Sequence, residues 1–305
     1  MNAASEVRIK IAEISCAVVG LTEDWIWADR ERFEDFTGEG PPDLVLRVHA
    51  GRPDEHIQVG DLAYSVEGLR NVYLNSDTWA FEFHPYKGAE FPQRPPHQLL
   101  VFDRRMTAGD LYISSDTRAK KPTFSFAVFL LELFAIMLPL HGGIMVHASG
   151  ISEGGRGIVF AGPSGAGKST MAELWEGCAG TRVLNDDRII LRKQGRQWRA
   201  FPAPGIGEPG QGYWEGAPLE AVFLLSQADE NIAERTRPSR GAGSLLAHVA
   251  LPPYDATAMS AGLELLDDLV NEVPIYELGF LPDRTAVDFV KDLIRQGIAR
   301  DRASG

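Results

Sequence analysis

The residues whose types and spacing most clearly indicate chemistry form one unbroken run of nine. They are Gly162, Pro163, Ser164, Gly165, Ala166, Gly167, Lys168, Ser169 and Thr170. The three glycines allow a tight turn and let backbone N–H groups approach an anion without interference from a β-carbon. The positive end of a following helix would add to the attraction. Lys168 would reach the β- and γ-phosphates and the Ser169 hydroxyl would ligate Mg²⁺, so the run predicts a P-loop that binds ATP or a similar nucleotide with magnesium.

Two adjacent carboxylates form a second candidate site. Asp186 and Asp187 follow the short strand candidate at 182–184 and come about 18 residues after Lys168. They could lie on the strand beside the P-loop and face the phosphates. One would then hold magnesium, directly or through water, and the other would accept a proton from an attacking hydroxyl. The simpler alternative is a solvated Asp-Asp turn.

A histidine precedes the P-loop at a spacing that suggests a hairpin. If residues 152–156 turn near Gly154, paired positions sum to about 308, and His147 lies opposite Ala161, one residue before the P-loop. An imidazole beside the γ-phosphate could tune the proton affinity of an acidic neighbour or stabilise a transition state. The alternative is a histidine that is an ordinary core residue, with its hydrogen-bonding groups satisfied and no part in catalysis.

The elements that must position these residues begin after Lys120-Lys121-Pro122. The pattern predicts a helix over 123–138 and a P-loop helix from Lys168 to near Gly177, followed late in the chain by a helix capped by Asp283. Strand-like segments alternate with them at 144–151, 157–161, 182–184, 188–193, 197–201, 219–225 and 273–280. Mixed strands and helices around a P-loop predict an α/β domain over residues 121–305.

Residues 1–120 have a different pattern, which predicts a β-rich N-terminal domain. Short strand candidates, separated by Gly, Pro and Asp, occur at 7–19, 43–49, 56–64, 70–74, 78–84, 98–103 and 110–114. The aromatic residues are expected to form its core rather than a binding stripe: Trp25, Trp27, Phe33, Phe36, Trp79, Phe81 and Phe83. No motif assigns this domain a role, and we expect it to present the substrate that accepts a phosphoryl group.

Composition narrows the classes of partner and compartment. A net charge of −12 argues against extended binding to nucleic acid. Only two cysteines, Cys16 and Cys178, and no signal-peptide pattern favour the cytoplasm. The apolar stretch 124–140 carries Glu132 and Pro139 and is shorter than the roughly 20 residues that span a bilayer, so we expect a buried helix and no membrane. The sequence does not decide between a monomer and a homo-oligomer.

The order of these motifs resembles the catalytic domain of HPr kinase/phosphorylase and, more loosely, ATP-dependent phosphoenolpyruvate carboxykinase. It looks closest to the HPr-kinase-like branch that includes kinases tailoring lasso peptides. The motifs are Val146-His147-Ala148, the P-loop, Leu184 to Ile189 and Pro274 to Asp283, and the similarity covers about residues 125–295. The resemblance implies that Asp187 is the base, that His147 assists, that Lys168 binds phosphate, and that Ser169 with Asp186 holds Mg²⁺. The acceptor it implies is a serine hydroxyl on a peptide or protein.

The chain departs from bacterial HPr kinases after the Asp pair. The segment 201–207 carries prolines where those enzymes carry a Glu and an Arg, so neither HPr as substrate nor phosphorolysis is implied. Glu208 is a candidate replacement, and the basic stretch Arg235 to Arg240 is either a source of a transition-state cation or an ordinary surface. Three functions remain: a peptide or protein serine kinase, a kinase for a small-molecule hydroxyl, and a nucleotide-sensing regulatory NTPase.

Overall fold

The computed structural model describes residues 5–21, 26–27, 30–34, 36–51, 57, 59–67, 70–83, 98–113, 123–124, 127–204 and 215–303. The chain is a mixed α/β protein that divides into two compact units, Met1–Phe129 and Leu130–Gly305. The domain boundary expected at 120/121 lies outside the described residues.

The N-terminal unit is built on one eight-stranded sheet in the order β1-β2-β4-β9-β8-β7-β6-β5, with a separate short pair of β3 and β10. Its strands are β1 (Ser5–Ile11), β2 (Ile14–Leu21), β3 (Ile26–Trp27), β4 (Leu44–Ala50), β5 (Asp61–Val66), β6 (Arg70–Leu74), β7 (Thr78–Phe83), β8 (Gln98–Asp103), β9 (Ala108–Ile113) and β10 (Thr123–Phe124). A short 3₁₀ helix covers Arg30–Phe33. In the large sheet, β4 pairs in parallel with β2 and with β9, and the other pairs are antiparallel.

Two strand predictions in this unit were wrong. The single strand expected over 7–19 is a hairpin that turns at Ala12 and Glu13, whose φ angles are 48° and 64°. Because this turn lacks the Asn-Gly or Asp-Gly signature of a two-residue hairpin, the alternation of apolar residues hid it. The strand expected over 56–64 is displaced to Asp61–Val66, and residues 52–56 and 58 lie outside the described part.

The prediction of an aromatic core is confirmed where the structure describes it. The buried members are Phe33, Phe36, Trp79, Phe81 and Phe83. Trp25 and the side chain of Trp27 lie outside the described residues.

The rest of the chain forms a second, nine-stranded sheet with helices on both faces. Its elements are α1 (Ala127–Leu140), β11 (Gly143–Glu153), β12 (Arg156–Ala161), α2 (Lys168–Trp175), β13 (Thr181–Asn185), β14 (Arg188–Gln194), β15 (Gln197–Pro202), β16 (Ala217–Gln227), β17 (Ile232–Arg235), α3 (Pro238–Leu246), β18 (Val249–Ala250), α4 (Ala256–Glu272), β19 (Ile275–Phe280) and α5 (Arg284–Ala303). Successive pairings from β12 through β11, β14, β15 and β16 return to β12 and close a ring.

Burial on both faces explains the long apolar run in β16. Val222 and Leu224 pack in one cluster with residues of α3 and α4. Ala221, Phe223 and Leu225 point the other way and pack with residues of α2 and α5. A strand that is covered on both faces has a continuous apolar sequence rather than an alternating one.

The hairpin before the P-loop differs by one residue from the prediction. Gly154 and Gly155 both have positive φ, 55° and 80°, and form a two-residue turn. Ala148, not His147, is therefore the residue paired with Ala161. His147 is the residue before Ala148 in β11, so it lies at the level where the chain leaves β12.

The helices were predicted less completely than the strands. The helix expected over 123–138 is α1, but it begins at Ala127, since Thr123 and Phe124 form β10, and Pro139 lies inside its last turn. The P-loop helix ends at Trp175, close to the end predicted near Gly177. Helices α3 and α4 were not predicted. Within the described part of the chain, no helix has the length and apolar character needed to cross a bilayer.

Candidate active site

The run 162–170 joins a strand to a helix through a loop in which Gly165 and Gly167 have positive φ. It follows Ala161, the last residue of β12, and leads into α2 at Lys168. Strand β12 runs parallel to β16. Gly167 is the N-cap of α2 with a φ of 102°, and no side chain in the described residues caps this helix. The first N–H groups of a helix need an acceptor from outside the helix, and an anion is the usual substitute for a capping side chain.

Each glycine of the loop is required for a different reason. A β-carbon on Gly162 would lie 2.9 Å from the β-carbon of Ala166 and 3.2 Å from the carbonyl oxygen of Leu225. Gly165 has open space around that position but a φ of 80°, so backbone conformation alone favours glycine there. Gly167 combines a positive φ with a steric conflict, because its β-carbon would lie 2.6 Å from the ring of Phe280.

Lys168 is folded back against its own loop. Its Nζ donates hydrogen bonds to the carbonyl oxygens of Gly162 at 2.9 Å and of Pro163 at 3.2 Å. Burial lowers the pKa of the Lys168 ammonium; the Asp187 carboxylate opposes this shift and the Arg188 guanidinium adds to it. Ser149 of β11 donates a hydrogen bond of 2.9 Å to the Lys168 carbonyl, which fixes the start of α2 against the sheet.

Asp186 and Asp187 form the turn between β13 and β14. The expectation that they lie on the strand beside the P-loop strand was wrong, because β11 separates β12 from β13 and β14. Their turn is held by Asn185, which is fully buried. Its Oδ1 accepts hydrogen bonds of 2.8 Å from the amides of both Asp187 and Arg188, and its Nδ2 donates one of 3.1 Å to Ala203. An Asn that bonds the amides two and three residues later is a recognised turn signal, and sequence reasoning gave it no role.

His147 contacts the second carboxylate rather than the P-loop. Its Nδ1 lies 3.2 Å from Asp187 Oδ1 and 3.1 Å from the Asp187 carbonyl oxygen. Burial lowers the pKa of His147, the charges of Arg188 and Lys168 lower it further, and Asp187 opposes them. The ring is therefore neutral at neutral pH. Both neighbours of Nδ1 are acceptors, so Nδ1 carries the proton and donates to Asp187.

Three residues of the site were not assigned a role from the sequence. Arg188 is paired with His147 across β11 and β14, and its Nε lies 3.3 Å from Asp187 Oδ2. Gln227, at the end of β16, donates a hydrogen bond of 2.9 Å to the carbonyl of Gly165. The backbone carbonyl of His248 accepts a hydrogen bond of 2.7 Å from the His147 amide. Burial lowers the pKa of the His248 ring, and the charges of Lys168 and His147 lower it further. The pairing of β18 with β11, which brings His248 here, has no local sequence signal.

The remaining predicted residues occupy the rim of the site or lie away from it. Ser164, Gly165 and Ser169 are exposed, and Thr170 and Asp186 are half-buried. In the basic stretch, Arg240 donates two hydrogen bonds of 2.7 and 2.8 Å to the Glu277 carboxylate. These bonds connect α3 to β19. Glu208 lies outside the described residues.

The oxygen donors present fit a magnesium ion that arrives with a nucleotide. The Ser169 hydroxyl and the Asp186 carboxylate are hard ligands of the kind that Mg²⁺ prefers, and Mg²⁺ usually completes its shell with phosphate oxygens and water. In the parts of the chain that the structure describes, no group of three or more His, Cys, Asp or Glu side chains could hold a metal by itself. The uncapped N-terminus of α2 likewise fits a phosphate group.

Comparisons with known proteins give two similarities. A family model described as "SynChlorMet cassette protein ScmC" matches residues 116–264. The solved structure described as the Hpr(Ser) kinase/phosphatase from Coxiella burnetii is similar at 12% identity, with a TM-score of 0.32, over 52% of this chain and 93% of that one. Among curated proteins, none matches. At this TM-score, function has to be argued from the residues of the site.

Proposed function

We propose that this chain is a phosphotransferase that moves the γ-phosphoryl group of ATP to a hydroxyl, with a serine side chain of a peptide or protein as the acceptor. One observation carries the proposal. The carboxylate of Asp187 is held between His147 and Arg188, within electrostatic reach of Lys168 at the start of the P-loop helix. A base fixed beside a phosphate-binding lysine is the arrangement that phosphoryl transfer to a hydroxyl requires.

The P-loop residues would gather the charge of the phosphates. Lys168 exchanges its two carbonyl partners for phosphate oxygens, and this exchange favours binding because a phosphate is a stronger acceptor for an ammonium than a neutral carbonyl. The loop amides and the uncapped end of α2 add donors aimed at the same place. Ser169 and Asp186 would hold Mg²⁺, which supplies a positive charge that neutralises the phosphate oxygens during transfer.

Asp187 would act on the acceptor. Its side chain is about one-third exposed, 32%, so a hydroxyl can reach it, while the Asn185 turn and the two basic neighbours fix its direction. As the acceptor oxygen bonds to the γ-phosphorus, the bond from that phosphorus to the β,γ-bridging oxygen breaks and ADP leaves, while the proton of the acceptor hydroxyl passes to the Asp187 carboxylate. The Nδ1–H of neutral His147 donates to the Asp187 carbonyl oxygen and lies 3.2 Å from the Asp187 carboxylate, so it limits the movement of this residue as the hydroxyl approaches.

The class of acceptor rests on the resemblance of the motifs to HPr-kinase-like enzymes, in which the acceptor is a serine hydroxyl. The N-terminal unit is proposed to present that serine, since the site residues described above all belong to the C-terminal unit. Placing the hydroxyl in line with the phosphoryl group is a large part of what a kinase contributes.

The experiment is a transfer assay with γ-labelled ATP, Mg²⁺ and a panel of small proteins and peptides from the host. Labelled phosphoserine is expected with the wild-type protein and with the control Asp292→Asn on the exposed face of α5, but not with Asp187→Asn. Label on a small molecule would replace the protein acceptor with a metabolite. Hydrolysis without transfer to any acceptor would indicate a regulatory NTPase, and failure to bind Mg–ATP would remove the proposed function entirely.

A further inference from the structure

Arg188 is a second cation at the phosphate site, and the strand register determines which way it points. It is the first residue of β14 and is paired with His147 of β11. Directly opposed residues of antiparallel strands project from the same face of the sheet. Their strand neighbours Val146, Ala148 and Ile189 belong to the cluster that packs with α3 and α4, so His147 and Arg188 project from the opposite face. This is the face of Ser149, whose hydroxyl bonds the first residue of α2.

Arg188 is held in place, but not all of its hydrogen-bond donors have acceptors. Its backbone amide donates to Asn185 Oδ1, and its side-chain Nε forms an ion pair with Asp187 Oδ2 at 3.3 Å. That contact lacks the alignment of a hydrogen bond, and within the described residues Nε, which is shielded from solvent, has no acceptor. With 23% of the side chain exposed, Arg188 is partly accessible to a ligand.

The strand register places this charge on the same face as the start of the P-loop helix. His147 and Arg188 share that face with Ser149, whose hydroxyl bonds the Lys168 carbonyl. Two cations that share a face are stabilised together by an anion between them. A guanidinium presents a planar fork of donors that matches the oxygens of a phosphate, and it stays charged at every physiological pH.

We propose that Arg188 binds the γ-phosphoryl group of the nucleotide and stabilises it during transfer. This inference rests on the proposed function, because it takes Asp187 as the group that reaches the attacking hydroxyl. The Nε of Arg188 lies 3.3 Å from that carboxylate, so the guanidinium would lie near the phosphoryl group that the hydroxyl attacks. Lys168, which starts from the P-loop, reaches the β- and γ-phosphates, whereas Arg188 approaches from the strand that follows the base and meets only the terminal group.

The test is binding, measured by calorimetry on the full chain with Mg²⁺ and either a non-hydrolysable ATP analogue or ADP. Arg188→Gln is expected to lower affinity for the ATP analogue by about 10- to 100-fold, the size of a charged hydrogen bond, and affinity for ADP by less than about 3-fold. Arg188→Lys keeps the charge but loses the fork, so its loss is expected to be smaller and still confined to the ATP analogue. The control is Arg192→Gln on the same strand, whose Nε bonds His141 away from the site.

The outcomes separate this inference from the proposed function. Equal losses for both nucleotides, or no loss for either, would overturn the role of Arg188 while leaving a nucleotide-binding site. A wild-type protein that binds neither nucleotide would overturn the proposed function and this inference together. A thermal melt of each variant shows that it is folded, and Arg188→Lys carries the test if the Gln variant does not fold.

Discussion

The ring of Phe280 occupies the place that a β-carbon on Gly167 would need, with its Cζ 2.6 Å from that position. Phe280 is the last residue of β19 and is only 3% exposed, so packed neighbours prevent the ring from moving aside. A residue 113 positions away in the chain therefore helps to specify a glycine of the P-loop. The loop motif and the closing strand form one packed unit.

This contact predicts that Gly167→Ala destabilises the protein more than Gly165→Ala does. Both variants place alanine at a positive φ, which costs about 1–2 kcal/mol, but only Gly167→Ala also overlaps a buried ring, which adds about 1–3 kcal/mol. Chemical denaturation of the nucleotide-free variants measures the difference. Adding Phe280→Ala should remove the overlap, so the double variant should lose less than the two single losses added together. Equal losses for the two glycine variants would contradict the role of the ring.

Asn185 is predicted to determine both the stability and the geometry of the Asp-Asp turn. Asn185→Ala removes the acceptor of two amides and the donor to Ala203 from a fully buried position, which should lower the free energy of unfolding by about 2–4 kcal/mol. The rate of transfer should fall more than affinity for the nucleotide, because the P-loop is left intact while Asp187 is released. The control is Asn271→Ala on the exposed side of α4, where the side chain bonds only one carbonyl of its own helix. Unchanged transfer would show that Asp187 does not depend on this turn.

Lys168→Met is predicted to abolish turnover while leaving the nucleotide-free protein folded. The lysine gives up two hydrogen bonds to loop carbonyls, and the methionine side chain fills nearly the same space, so stability should change by no more than about 1–2 kcal/mol. Transfer should fall by about 10²-fold or more, because the charge that meets the phosphates is lost. A steady-state assay and a thermal melt of the same variant separate the two effects. The control is Lys193→Met, which removes ion pairs to Asp268 and Glu272 at the surface. Turnover within a few-fold of wild type would reject the P-loop assignment.

The residues predicted from sequence are those whose signal is local. The P-loop and its flanking strand and helix were visible because nine adjacent residues carry the motif. His147 was misplaced by one position because the register depends on Gly154 and Gly155 turning together, which a count from Gly154 alone does not reveal. Helix α3 was missed because it contains Gly241 and Gly243. Helix α4 was overlooked although its signal is local: Asp255 caps it, and its buried residues, among them Ala258, Leu266 and Leu269, follow helical spacing. The contacts of Gln227, His248 and Phe280 arise from strand pairings between distant segments, which no local pattern encodes.

The two cysteines are predicted to differ in reactivity and in their effect at high pH. Burial raises the pKa of Cys16 to about 12, whereas Cys178 is only half-buried. Since the thiolate is the reactive form, an alkylating reagent should modify Cys178 first and Cys16 only after unfolding. Above pH 9 the unfolded chain loses the Cys16 proton while the folded protein keeps it, so the free energy of unfolding falls as the pH rises.

Comparison with Cys16→Ala isolates that contribution, because all other groups titrate alike in both proteins. Wild type should lose on the order of 2 kcal/mol more than the variant between pH 8 and pH 11. Mass spectrometry of the alkylated protein and denaturation at the two pH values are the measurements. Rapid labelling of Cys16 in the folded protein would contradict its burial in β2.

Asp187→Asn and Asp186→Asn are predicted to fail at different steps. The amide of Asp187→Asn has nearly the shape of the carboxylate and leaves the backbone carbonyl that bonds His147 unchanged, but it cannot take a proton, so Mg–ATP should bind while transfer falls by about 10²-fold or more. Asp186→Asn removes a charged oxygen ligand of the proposed metal, so the magnesium concentration required for half-maximal activity should rise while transfer at saturating Mg²⁺ is partly retained. Titrations of Mg²⁺ against both binding and transfer distinguish the two effects. If both variants lost nucleotide binding equally, the two carboxylates would act as a single metal site, and the base would have to be sought elsewhere around His147 and His248.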